Sequence, residues 1–168
     1  MSRAARLGAL GVAASTFLLV ATAAGSGRSD RLLATGESLG GARLGMTRAG
    51  VRAMWGERHG VCRRCRLETW YFNERPFDPQ GTGVSFEHGR VVQLFTVWQP
   101  RGWRTVEGLA LGEEAARVED LYGPLARHRC RRYTAFVLPG ANADTAFYVY
   151  RGAVWGFGLE RRGLPACL

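Results

Sequence analysis

The sequence predicts an α+β fold: a tandem repeat of helix–strand–strand–strand units, with an antiparallel sheet and its helices on one face. Three observations carry this expectation. First, the run Leu44–Gly56 (LGMTRAGVRAMWG) lines up with Leu111–Gly123 (LGEEAARVEDLYG), 67 residues later. Both runs hold Leu-Gly, then Val six positions on, then an apolar pair and a closing Gly. Self-similarity at a fixed period indicates a duplicated supersecondary unit. Second, Val51, Met54 and Trp55, and likewise Val118, Leu121 and Tyr122, fall at helical spacing before a glycine. Third, β-rich segments follow each run and are joined by tight-turn pairs.

The elements follow in order. Residues 1–24 read as a secretory signal peptide: Arg3 and Arg6, an apolar stretch from Leu7, then Ala21-Thr22-Ala23-Ala24 before Gly25. A retained membrane anchor is the alternative. No Cys follows the cleavage site to take a lipid. Residues 25–36 are expected to be a flexible lead-in. Unit 1 spans 37–97, a linker 98–106, and unit 2 107–168.

In unit 1, Thr47 is the N-cap of the helix. Strands are expected over 67–72, 82–87 and 90–97, the last two joined by His88-Gly89. In unit 2, Glu113 and Glu114 suit the positive end of a helix, and Pro124 follows its stop. Strands are expected over 133–138, 145–150 and 154–160, with Arg151-Gly152 as the second hairpin turn. Alternation directs Trp155, Phe157, Leu159, Val92, Leu94, Val84, Phe86, Phe147 and Val149 toward the helices. It leaves Val91, Phe95, Tyr148 and Tyr150 on an open face, where glycines let another surface approach.

The Leu44–Gly56 run resembles the opening of two exported groups. One is the tandem-repeat β-lactamase-inhibitor protein family. The other is the small outer-membrane assembly lipoproteins, which hold a single unit. The match is good in the first copy and weak in the second, where Met-Thr-Arg has become Glu113-Glu114-Ala115. The resemblance implies protein binding, and inhibition in the first family, through an open sheet face lined by aromatic residues. The strands match neither family residue by residue, so no family contact position carries over.

Formal net charge is +9, and all 23 basic residues are Arg. Such charge favours an acidic partner. No Arg-rich helix or nucleic-acid motif is present, so nucleic acid is not an expected partner. Nor is a membrane, once the signal is cleaved. Cys62, Cys65, Cys130 and Cys167 form an even set in an exported chain, which favours two disulfides. Three pairings are possible. Cys62–Cys65 with Cys130–Cys167 is preferred, the second tying the chain terminus to the start of a strand.

Cys62-Arg63-Arg64-Cys65 is a CxxC whose arginines would favour thiolate, so a thiol–disulfide oxidoreductase is one alternative function. It follows a helix and precedes a strand, unlike a thioredoxin motif. No matching CxxC stands elsewhere for a zinc site, with His59 and Cys130 as imaginable extra ligands. His59, His88 and His128 read as solvated turn residues. Ser38 and Ser85 lack a nucleophile elbow. Glu113, Glu114, Glu119 and Asp120 read as a solvated helix face. No catalytic residue, metal or cofactor is predicted. A further alternative is Arg-driven binding to anionic envelope polymers. The expected function is an exported protein-binding module for an acidic extracytoplasmic protein. Its expected contacts are Tyr71, Phe95, Trp98, Trp103, Tyr148 and Tyr150, types that dominate interface hot spots.

Overall fold

The structure is a computed structural model that describes residues 31–72, 81–97 and 102–168. The expected signal segment and Trp98 lie outside these residues.

The elements run β1 (Leu32–Ala34), β2 (Ser38–Leu39), α1 (Arg48–Trp55), β3 (Gly60–Val61), β4 (Glu68–Tyr71), β5 (Gly81–Glu87) and β6 (Arg90–Val97). They continue with β7 (Arg104–Thr105), α2 (Ala116–Tyr122), β8 (Ala126–Arg129), β9 (Thr134–Leu138), β10 (Asp144–Tyr150) and β11 (Ala153–Glu160). Eight strands form one antiparallel sheet in the order β3-β4-β5-β6-β11-β10-β9-β8. A small sheet, β2-β1-β7, pairs β1 with β7 in parallel.

This overturns the expected α+β class. The described residues are mostly β, with 44% of them in strand and 12% in helix. The two helices among the described residues are only 8 and 7 residues long. Gly56 and Gly123, at φ 97° and 75°, turn the chain out of each helix after two turns. Short segments that follow each helix, Gly60–Val61 and the Arg-containing Ala126–Arg129, pair as the edge strands β3 and β8. The lead-in is also corrected. Leu33 is fully buried and β1 hydrogen-bonds on both sides, so residues 32–34 are structural.

Thr47 caps α1, its side chain accepting from the Gly50 N–H at 3.1 Å. α2 has no side-chain cap. The Leu-Gly element binds the central strands in both halves. Gly45 N–H donates to Val91 O and Gly112 N–H to Val154 O, each at 2.8 Å. Val91 N–H returns to Met46 O and Val154 N–H to Glu113 O. Positive φ at Gly45 (80°) and Gly112 (95°) bends the chain there.

One sheet face carries the main core. Val51 of α1 and Val118 of α2 pack with Trp70, Val84, Phe86, Leu94, Phe136, Phe147, Phe157 and Leu159. Leu33, Leu39, Trp103 and Leu109 from the small-sheet region complete that layer. The expected facing fails at one matched point in each half. β5–β6 shifts register between Ser85 and Phe86, and β10–β11 between Tyr148 and Val149. Each shift skips one residue, Val92 in β6 and Trp155 in β11. A β-bulge of this kind flips the residues beyond it. Val91 and Val154 therefore join the helix-side core, while Trp155 lies on the opposite face.

Candidate functional site

The face away from the helices is built in rows set by strand register. One row is polar. Thr69 opposes Ser85, Ser85 opposes Gln93, Gln93 opposes Glu160, and Glu160 opposes Asp144. Thr69 and Ser85 hydroxyls share a hydrogen bond at 3.0 Å. Ser85 Oγ donates to Gln93 Oε1 at 3.3 Å, and Gln93 Nε2 to Glu160 Oε1 at 3.5 Å. The Tyr148 hydroxyl donates to the same Glu160 oxygen at 2.9 Å. Glu160 is 2% exposed. Burial pushes its carboxyl up to about 7; hydrogen bonds from Tyr148 and Gln93 pull the other way, and the charge of Asp144 adds to the rise. Burial also raises the Tyr148 phenol well above its ordinary value.

The next rows are aromatic and close-packed. A Cβ placed on Gly83 would come within 2.3 Å of the Phe95 ring. One on Gly158 would meet the Tyr148 hydroxyl at 2.2 Å, and one on Gly156 would sit 3.1 Å from the same ring. The glycines thus make room for the chain's own Phe95 and Tyr148, not for a visitor.

The expected contact residues consequently separate. Phe95 and Tyr148 are on the predicted face but buried, as parts of a second core cluster. Trp103 is buried on the helix side, its indole N–H without a partner among the described residues. These three are corrected from exposed contacts to packing groups. Tyr71 is half-buried, edge-on to Phe95 at 5.9 Å, and burial raises its phenol. Tyr150 is half-buried at the end of β10.

Around Tyr150 lies a group that alternation did not reveal. Trp155 meets Tyr150 at 6.2 Å and Tyr133 at 5.5 Å, and Tyr133 sits edge-on to Tyr148 at 5.4 Å. All three outer rings are half-exposed. The Arg151 guanidinium lies 5.3 Å from the Tyr150 ring centre. Arg131 and Arg132 are exposed in the β8–β9 turn and have no ion pair among the described residues. The Cys130–Cys167 disulfide ties this turn to the C-terminal segment, whose Ala166 and Cys167 pack on the same cluster. The Leu168 N–H donates to the Tyr133 hydroxyl. The outward turn of Trp155 was hidden because a bulge leaves no mark in hydrophobic alternation. The adjacent Arg151-Gly152 turn is where a signal existed.

No family model matches the sequence, and no curated protein matches it. Two solved structures share the fold. One is a DUF4309 family protein (YjgB) from Bacillus subtilis, at 16% identity and TM-score 0.51, covering 69% of this chain and 78% of that one. The other is an extracellular protein containing a SCP domain from Bacillus anthracis, at 13% identity and TM-score 0.52. It covers 71% of this chain, which in turn spans 44% of that longer one. Neither comes from the families that the Leu44–Gly56 run resembles.

At the opposite edge, Cys62 and Cys65 form a disulfide in the β3–β4 turn. Both disulfides suit a protein that folds in an oxidising, extracytoplasmic compartment. Among the described residues no helix is long and apolar enough to cross a membrane. No group of three or more potential metal-binding side chains is present there either. His59 is not a free turn residue: it stacks on Trp70 at 4.0 Å.

Proposed function

We propose that the chain is an exported module that binds another extracytoplasmic protein, and that it does so through the Tyr133–Tyr150–Trp155 corner. One observation carries this reading: half-exposed Trp155 meets two half-exposed tyrosines, Tyr133 and Tyr150, bordered by Arg131, Arg132 and Arg151, on the face opposite the helices. Tyr, Trp and Arg are the types enriched at interface hot spots, because they combine large apolar area with directional polar groups. The three arginines suit an acidic partner. Buried Tyr148 supports the rings from beneath through Tyr133. Residues 1–24 direct export under this reading, and the activity is non-covalent binding.

The test uses the chain from Gly25 onward as bait in the native secreted fraction, beside Trp155→Ala and Tyr150→Ala. A protein captured by the parent and lost from both variants supports the corner. Equal capture by all three removes it.

A further inference from the structure

The edges of the large sheet are unequal. β3, at one edge, is two residues long, whereas β8, at the other, has four, and all four are exposed. β8 reads Ala126-Arg127-His128-Arg129 and leads into exposed Arg131 and Arg132. The phase of its pairing is fixed at the turn, where Cys130 N–H donates to Tyr133 O at 2.9 Å. Alternate residues of an antiparallel pair bond inward. His128 and Ala126, opposite Ala135 and Val137, therefore bond to β9. The main-chain N–H and C=O of Arg127 and Arg129 point away from the sheet.

An exposed edge of this kind is a template for another strand. Its charge decides which. Arg127 is paired with Glu119 at 2.7 Å and stacked on Phe136 at 4.7 Å. Arg129, Arg131 and Arg132 have no ion pair among the described residues. A second copy docking edge to edge would set these arginines against their own equivalents. The charges that keep copies apart attract a strand of opposite sign. Resting on the protein-binding reading, we infer that β8 is the docking edge for an extended acidic segment of the partner, which adds as a ninth strand.

Such a strand would exchange main-chain hydrogen bonds with Arg127 and Arg129 while its carboxylates meet Arg129 and the arginines of the turn. β8 ends at Arg129, next to Cys130, whose N–H donates to Tyr133 O, so the strand would end near the aromatic corner.

The probe is a synthetic peptide of alternating Val and Glu, six residues long. Controls are the same peptide with Lys in place of Glu, and an acidic version N-methylated on the bonding edge. Binding is read by fluorescence anisotropy and by amide hydrogen exchange of the disulfide-intact protein. The acidic peptide is expected to bind and to slow exchange at Arg127 and Arg129 by about tenfold or more. The Lys peptide and the N-methylated peptide are expected not to bind, and Arg129→Glu is expected to abolish acidic-peptide binding.

Three results overturn the inference. The N-methylated peptide binds as well as its parent. Inorganic polyphosphate binds in the peptide's place without protecting the two amides, which marks an anionic-polymer site. The protein dimerises and protects those amides without peptide. Trp155→Ala is expected to leave peptide protection at β8 intact, so loss of the edge and loss of the corner read out separately.

Discussion

Glu160 ends the last strand as a buried acid whose hydrogen-bond partners, Tyr148 and Gln93, are neutral. Its consequence is a pH dependence of stability with a definite sign. The folded carboxyl titrates at about 7 against an ordinary 4.5. Between these values the folded state holds a proton that the unfolded state has released. Stability therefore falls as pH rises through that window and levels off above it. The full drop is on the order of 3 kcal/mol. Glu160→Gln keeps a neutral polar group there and is expected to flatten the fall and raise the melting temperature at pH 8. Denaturation midpoints at pH 5, 6, 7 and 8 check this; parallel profiles for both proteins would contradict it. The two proteins differ only at residue 160, so the difference between their profiles isolates Glu160. Nothing in the sequence marked this residue. Its burial comes from Gln93, one full repeat of 67 residues away, and from Tyr148 lying across Gly158.

Strands and turns were legible wherever local chemistry decides them. His88-Gly89 and Arg151-Gly152 adopt positive φ at both positions, as a tight hairpin between twisted strands requires. Thr47 and the two helix-ending glycines were legible for the same reason. The bulges were not, since a skipped residue is set by pairing with a neighbour. That neighbour puts Val154 under the helices and turns Trp155 out. Val154, 1% exposed, is expected to lose about 2 kcal/mol on substitution by Ala. Trp155→Ala, at a half-exposed site, is expected to cost less despite removing a far larger side chain. Thermal melts of the two variants check the order, and strict alternation predicts the reverse. The edge strands were hidden differently. Ala126–Arg129 has the composition of a solvated turn, and only its ladder with β9 makes it a strand.

Across the whole molecule, the two halves meet at β6 and β11, from Val97 opposite Gly156 to Gln93 opposite Glu160. The repeated Leu-Gly runs each bind the strand of that seam in their own half, which is why the period was visible in the sequence. The class was not, because helix signals of good quality said nothing of helix length against eight strands. The outer limits of this sheet are held covalently, and the two disulfides differ in what they hold. Cys130–Cys167 spans 37 residues and clamps the C-terminal segment beside Tyr133; Cys62–Cys65 spans 3 and closes one turn. On the chain-entropy view the long loop contributes about 4 kcal/mol and the short one about 2. Paired Cys→Ser variants are therefore expected to rank in that order in urea midpoint. The Cys130/Cys167 pair is also expected to speed amide exchange in β8 and β9, because the turn joining them loses its tether. If the Cys62/Cys65 pair proved the more damaging, the first edge of the sheet, not the C-terminal clamp, would be the weaker boundary of the fold.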